Sequence, residues 1–408
     1  MVMKDQPTVR GTQILRRGQY DQPGESVTAA VPAVFVPLGE KMPANRLALA
    51  RWLTATAPAH PLTARVAVNR WWESYYGLGL VETLEDFGLT GSSPTHPELL
   101  DWLARRLLDS GWDTLAMQRL LVTTTAYRRS SQATAARLAV DPKNQWLGRG
   151  PRYRLSAETV RDQALAVSGL FVERLGGPSV KPYQPDGLWE DVTVERRHKY
   201  EADSGAGLYR RSMYTFWKRT CPPPTMSAFD APSRETCTIR RARTNTPLQA
   251  LVLLNDPTYV EAARKWAEGA LAATPQPAAA RAAATSGDKA NAGGETSADE
   301  KASASKKASV AGGVDTASLP DRGAMDQARV RWLYERLLSR PPEAAEETVV
   351  LRLLADSRAL FTAEPERATQ LLSVGRAARD ERFSPSELAA WTIVCDTLFN
   401  LDEAITKP

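Results

Sequence analysis

The chain has 408 residues, 43% apolar and 24% charged, with a formal net charge of +5. These proportions suit a globular protein with enough apolar material for one large domain or two ordinary ones. Three cysteines exclude a disulfide-dense scaffold, and no apolar run approaches the ~18 residues of a membrane span.

Residues 1–44 are rich in Pro and Gly and lack helical periodicity, which predicts an extended arm with one short strand at Val31–Val36. Met1 to Leu15 carries charge but no apolar core, so no signal peptide is visible. From Asn45, Leu47, Leu49, Ala50 and Leu53 predict a short helix ended by Pro58. A second runs from Leu62 through Val68, Trp71 and Trp72 to Gly77 and Gly79. Thr95-His96-Pro97-Glu98 has the form of a capping box with Thr95 as N-cap, followed by an apolar face of Leu99, Leu100, Trp102, Leu103 and Leu107. Asp113 starts a helix carrying Leu115, Leu120 and Leu121. Ser156 caps another, expected to reach Gly176-Gly177-Pro178.

Tyr209–Lys218 and Thr236–Arg241 are β-branched or aromatic and flank a turn-rich stretch, so they are predicted strands of a small sheet. Thr246-Pro247 and Asp256-Pro257 open two more helices. Residues 275–324 hold 15 alanines and no aromatic residue, too little apolar bulk to offset ordering entropy, and are expected to be disordered. Helices follow at Val330–Leu338 and Thr348–Leu354, and a last one begins at Ser384-Pro385-Ser386-Glu387.

The expected fold is therefore mainly α, a helical body with a small β element in the middle. Its parts are an arm (1–44), a main domain (45–274) with a sheet around 209–241, the insert, and a C-terminal helical subdomain (325–408) packing on the main domain.

Three stretches carry a family likeness. The first is Val68-Asn69-Arg70 through Gly77-Leu78-Gly79-Leu80 to Asp86-Phe87-Gly88, and the second is Thr95-His96-Pro97-Glu98-Leu99-Leu100-Asp101-Trp102-Leu103. The third runs from Phe229-Asp230-Ala231-Pro232-Ser233-Arg234-Glu235-Thr236-Cys237 to Arg243-Thr244-Asn245-Thr246-Pro247-Leu248-Gln249-Ala250-Leu251. In this order they resemble the planctomycete-specific C-terminal domain of unknown function fifteen fifty-three, found in cytochrome-c-associated surface proteins. The resemblance implies a periplasmic or cell-surface setting, with a cytochrome-c-like module or another surface protein as partner. It names no activity. Family members often carry histidine where this chain has Tyr75-Tyr76. The family's usual upstream modules are not in this chain, so Met1 is expected to be an internal start or the mark of a split gene.

The charge is localised: residues 196–243 hold 11 Lys/Arg against 4 Asp/Glu, whereas from Met325 onward the count is 11 against 14. Within the basic segment the candidate ligand-binding residues are Arg211, Tyr214, Trp217, Asp230, Arg234, Glu235, Cys237, Arg240, Arg243 and Asn245. Guanidinium groups take carboxylate or sulfate bidentately and aromatic faces suit sugar rings, which points to an acidic polysaccharide. The alternative is a structural network in which these arginines pair internally, and the residues leave both open. Nucleic acid is not expected, since no recognised binding motif is present.

Cys237 is expected to be a small buried hydrophobe. An exported chain would allow a Cys221–Cys237 disulfide, whose loop of about 15 residues would contribute roughly 3 kcal/mol. Cys395 is expected to be buried. No C-x-x-C-H is present, so this chain attaches no haem of its own; in the family haem belongs to modules absent here. His60, His96 and His198 lack metal-ligand spacing, so no metal or other cofactor is expected. Asp86-Phe87-Gly88 and Gly77-x-Gly79 read as turns, and Trp71, Trp72, Trp102 and Trp112 as core. The leading functional expectation is a non-catalytic binding or scaffold module. The competing one is a hydrolase of acidic polysaccharide using Asp230, Glu235 or Cys237, or a carboxylate pair from Glu73, Glu82 and Asp86.

Overall fold

The computed structural model describes residues 10–35, 45–56, 60, 62–192, 199–273 and 322–407. It is mainly α and divides into two compact units. The first comprises residues up to Tyr153 with Cys237–Arg241 and the last two residues; the second comprises Arg154–Thr236 and Ala242–Thr406.

In the first unit, strands β1 (Thr12–Leu15) and β2 (Pro23–Val27) form an antiparallel hairpin, irregular between Gln13 and Leu15. The arm's strand is thus here and not at Val31–Val36, whose described residues are turn and coil. The helices are α1 (Arg46–Thr54), α2 (Thr63–Tyr76), α3 (Pro97–Asp109), α4 (Thr114–Thr123) and the short α5 (Ala135–Val140). Gly77 ends α2 at φ +81°, a left-handed cap that glycine adopts without a Cβ clash. His60 Nδ1 accepts the Thr63 amide at the start of α2, 3.2 Å away. Val68, Trp72 and Tyr76 of α2 pack on Leu100, Leu103, Ala104 and Leu107 of α3, with Met117 and Leu121 of α4 completing the core.

Buried Asn69 clips a turn to this helix, its amide donating to Val81 O (3.0 Å) and its Oδ1 accepting from Val81 N (2.9 Å). Two expectations fail here. Thr95 does not cap α3, because its amide and hydroxyl are both turned to Leu80 O. Trp102 is 53% exposed, since a 3.6-residue period turns it away from the Leu100–Leu103–Leu107 face.

The second unit is built on α6 (Ala157–Ser168), α10 (Pro257–Ala272), α11 (Arg322–Leu338), α12 (Ala344–Ala363), α13 (Pro365–Leu372) and α14 (Pro385–Phe399). Shorter pieces are α7 (Leu188–Asp191), α8 (Pro224–Ala228), α9 (Pro247–Asn255) and α15 (Asp402–Ile405). Ser156, Asp256 and Ser384 cap their helices as the sequence indicates, but α6 stops at Gly169, short of Gly176. The segment expected to be disordered, 275–324, lies outside the described residues except for 322–324, which already belong to α11.

Trp266, Trp391, Leu333 and Leu388 lie in one continuous apolar core that joins α6 and α10 to the C-terminal helices. Two arginines rivet its edge. Arg358 of α12 bonds Asp326 of α11 (2.6 Å) and Glu387 of α14 (2.9 Å), and Arg340 bonds Glu346 (2.8 Å) and Glu403 (2.9 Å).

One face of α10 is charged although fully buried. Glu261, with no solvent exposure, accepts from the hydroxyls of Tyr183 and Tyr209, each at 3.1 Å, and from the Ala377 amide, with Arg264 3.8 Å away. Arg264 donates to Ala377 O at 2.7 Å, and Glu268 accepts the Asp380 amide at 3.2 Å. Burial, with the Glu261 charge next in weight, pushes the Tyr209 hydroxyl above its ordinary range. The chain passes over this carboxylate at Gly375, φ +89°, where a Cβ would lie 2.4 Å from the Glu261 carboxyl carbon. Gly375→Ala is therefore expected to lower stability by about 2 kcal/mol or more in urea unfolding; an unchanged midpoint would show that the passage is loose.

Asp396 on α14 is 7% exposed, its Oδ1 has no donor among the described residues, and burial raises its carboxyl to about 7. An unfolded Asp titrates near ~3.9. The folded state thus holds this proton more tightly, so the contribution is complete below the unfolded value and is lost as pH rises from ~4 through about 7. Asp396→Asn is expected to match wild type at about pH 3, below the unfolded value. At pH 8 it should exceed wild type by a few kcal/mol, since each tenfold difference in proton affinity between folded and unfolded chain corresponds to about 1.4 kcal/mol. Parallel urea titrations of both proteins across that range read the difference.

Candidate functional site

The basic segment begins in turns. Residues 205–209 and 212–214 are short 3-10 helices, and single bridges join Arg210 to Val172 and Thr215 to Val180. The strands expected at Tyr209–Lys218 and Thr236–Arg241 are not formed, because among the described residues the first has only single bridges in place of a ladder and the second is exposed.

Arg161 of α6, 3% exposed, fixes these turns. It donates to Leu208 O, to Arg210 O at 3.0 Å and to Ser212 Oγ at 3.1 Å, and burial lowers its pKa. Arg210 is also buried; it donates to Pro178 O (2.9 Å), Arg174 O (3.0 Å) and Gly176 O and lies 4.1 Å over the Tyr214 ring. Tyr214 Oη accepts the Gly176 amide at 2.7 Å. Tyr214 therefore works inside the fold. Arg211 keeps 40% of its side chain in solvent, 5.3 Å from Phe171 and 4.0 Å from Glu173.

Asp230 and Thr244 form the second feature, a clasp. Asp230 accepts from the Thr244 amide at 2.7 Å and from its hydroxyl at 2.8 Å. Gln249, buried on α9, donates to Ala228 O (3.0 Å) and Thr244 O (3.2 Å). Trp217 Nε1 donates to Ser233 O at 2.8 Å while the Arg234 guanidinium lies 4.5 Å over the same ring. Asp230 and Arg234 hold φ of +60° and +62°, an uncommon backbone for residues with a Cβ. Beyond the clasp, residues 233–248 are exposed, including Arg234, Glu235, Cys237, Arg240, Arg243 and Asn245.

Within the second unit the structure thus brings together Trp217, Asp230 and Arg234 with Thr244 and Gln249. Glu235 faces Arg219 at 3.9 Å, and Arg243 and Asn245 lie on the exposed approach to α9. Cys237 and Arg240 group with the first unit.

The expectation of a buried Cys237 is corrected: it is exposed, as is the whole stretch 233–248 in which it lies. Cys221 and Cys395 are buried, and all three thiols are free, so no Cys221–Cys237 bridge is formed. Burial pushes the Cys395 thiol well up. Of the proposed carboxylate pairs, Glu82 is ion-paired to Lys143 at 2.8 Å. Asp86 accepts from the Thr90 hydroxyl and, at 2.7 Å, the Gly88 amide, which hold it below its usual range and make the Asp86-Phe87-Gly88 turn. His198 lies outside the described residues.

Sequence reasoning missed a third feature. Lys218 Nζ lies 4.4 Å over the Trp189 ring, with Lys181 Nζ 5.8 Å from that ring and 5.9 Å from Phe216. Trp189, in α7, sits 5.8 Å from Phe216 and 5.2 Å from Tyr200, whose hydroxyl burial pushes up. Only the interleaving of Lys218 with Phe216 and Trp217 hinted at it.

A helical chain of two compact units, with a clasped exposed loop leading into α9, is what these residues define. The chain belongs to the family described as PSD1, protein of unknown function (DUF1553), whose model matches residues 45–354. No curated protein and no solved structure matches it.

The clasp makes a definite demand. Asp230→Ala leaves the Thr244 amide and hydroxyl without their acceptor, which is expected to cost about 1–3 kcal/mol and to speed tryptic cleavage after Arg234 and Arg243. Urea unfolding and timed proteolysis read both. Cleavage at the wild-type rate would mean that Asp230 does not hold the loop.

Proposed function

We propose that this protein is a non-catalytic binding or scaffold module of a surface or periplasmic assembly, and that it presents its exposed basic stretch to an acidic polysaccharide. The observation that carries the reading is the clasp. Asp230 and Gln249 fasten both ends of a stretch whose side chains from 233 to 248 remain in solvent. Fastened ends lower the ordering cost of binding, and arginine forks in that stretch suit sulfate or carboxylate groups. Arg234 also keeps the Trp217 ring beside its guanidinium, a pairing of flat apolar and charged surfaces suited to a sugar acid.

The hydrolase reading has weaker support. Asp230 spends both carboxylate oxygens on Thr244, and Glu235 and Cys237 lie in open solvent, where neither desolvation nor a fixed base prepares them for chemistry.

Heparin is a suitable probe. Wild type is expected to bind it at low salt and to weaken steadily as salt rises. Arg234→Gln with Arg243→Gln should weaken binding by about tenfold or more, each exposed charge-assisted contact contributing roughly 1 kcal/mol. The same double change should leave the melting temperature nearly unchanged. A wild type that ignores heparin at low salt, or a double variant that melts far earlier, would overturn the proposal in favour of a structural arginine network.

A further inference from the structure

The first unit has a basic stretch of its own. Between residues 128 and 152 six Lys/Arg stand against one acid, Asp141. Part of this charge works internally. Lys143 pairs with Glu82 at 2.8 Å, and Arg149 donates to Asp141 O (2.9 Å) and Pro142 O (2.8 Å). The Asp141 carboxylate accepts the Gln145 and Trp146 amides at 2.8 and 2.9 Å, so it neutralises no arginine by pairing. Arg137, on α5, has no side-chain partner among the described residues. Arg129 gives one of its five N–H donors to Leu147 O, at 2.7 Å.

Arg129 and Arg137 open onto one recess of about 640 Å³, a size within the ~300–1,000 Å³ of small-molecule sites. Ser130, Gln132 and Thr134 share its wall, the small residues Ala133 and Gly148 complete it, and no carboxylate lines it. The Ser130 hydroxyl accepts the Gln132 amide and the Thr134 hydroxyl accepts the Arg137 amide, each at 3.3 Å. Each hydroxyl therefore still has its proton to donate. The wall is also fixed. The Gly150 amide donates to Ser130 O at 2.8 Å, and the two segments run so close that a Cβ at Gly150 would collide with Arg129 O. A second recess of this unit, about 620 Å³, carries two arginines as well, Arg106 and Arg119, but Asp109 and Asp113 balance them. The recess at Arg129 has no such balance.

We propose that this recess binds a small phosphate monoester, with the phosphate held between Arg129 and Arg137. A wall with two guanidinium forks, two free hydroxyl protons and no acid calls for a compact, doubly charged group that only accepts hydrogen bonds. A phosphate monoester near neutral pH carries close to two charges on three oxygens, which meets that demand. A sulfate ester has the same shape and one charge, so it binds less tightly. The volume leaves room for the organic part of the ester. None of the lining residues belongs to the clasped stretch, so the site stands apart from the polysaccharide reading.

Equilibrium dialysis of the intact chain against radiolabelled glucose 6-phosphate, at constant ionic strength held by chloride, tests this. Saturable binding to one site per chain is expected, displaced several-fold less well by glucose 6-sulfate and not at all by glucose. Arg137→Gln removes a guanidinium that makes no internal bond. It should raise the Kd by about tenfold or more and leave the melting temperature unchanged. Arg106→Gln with Arg119→Gln, in the balanced recess, should bind as wild type does, and so should the Arg234→Gln, Arg243→Gln protein. No saturable binding by wild type, displacement by glucose 6-sulfate as effective as by the phosphate, or an unmoved Kd in Arg137→Gln would overturn the proposal. Loss of binding in either control variant would overturn it too, by placing the phosphate elsewhere.

Discussion

A carboxylate with no water around it must find its hydrogen bonds inside the protein, and Glu261 organises the second unit by doing so. Two tyrosines, one backbone amide and a neighbouring arginine converge on it from segments far apart in sequence. Removing one member of such a group typically costs about 3–5 kcal/mol, because the remaining charge stays buried. The arrangement also dictates path. The strap from Gly375 to Asp380 has to cross α10 here, since its amides answer Glu261 and Glu268 and its carbonyl answers Arg264. From the strap, Arg376 donates to Ala202 O at 3.2 Å and Asp203 O at 2.8 Å, so the early part of the basic segment is tied to the same hub.

The same logic revises the electrostatics of that segment. A local excess of seven positive charges suggests a strong field, but Arg210 points inward to three carbonyls and Lys218 is shielded over Trp189. Guanidinium has five donors in a flat fork and can satisfy a whole turn of backbone oxygens, which is why arginine and not lysine serves this internal role. What reaches solvent is a smaller charge, concentrated after residue 233. The binding surface is thus narrower than the count of basic residues implies.

Sequence texture revealed the helices well where a cap side chain and an apolar period coincide, as at Ser156, Asp256 and Ser384. It failed where a residue had a stronger tertiary use. Thr95 looked like a cap, yet its donors serve Leu80 O on an adjacent turn. Tyr209–Lys218 looked like a strand because aromatic and β-branched residues mark burial, whether or not a ladder is present. The basic segment was legible as the place of interest, but its internal division was not. Nothing in the spacing tells that Tyr214 and Arg210 serve the interior while Arg234 faces out. Glu261, Arg264 and Glu268 fall at positions three and four apart on a helix that also carries Lys265, a pattern that resembles an exposed stripe. Their burial follows only from a strap more than a hundred residues further along the chain.

The segment from Phe229 to Leu251 shows how one run of sequence can carry two roles. Asp230, Thr244 and Gln249 close a loop, and a closed loop loses much less entropy when it binds than a free one of the same length. Asp230 and Arg234 accept an unusual backbone to do this, at a strain on the order of 1 kcal/mol each that the clasp bonds offset. Such strain is stable only if the surrounding bonds over-determine it, and here they do: Trp217 holds Ser233 O, Gln249 holds Ala228 O and Thr244 O, and Asp230 holds both donors of Thr244. A stretch held this firmly at its base, with its side chains exposed along its length, has its rigidity where folding needs it and its charge where a partner can reach it.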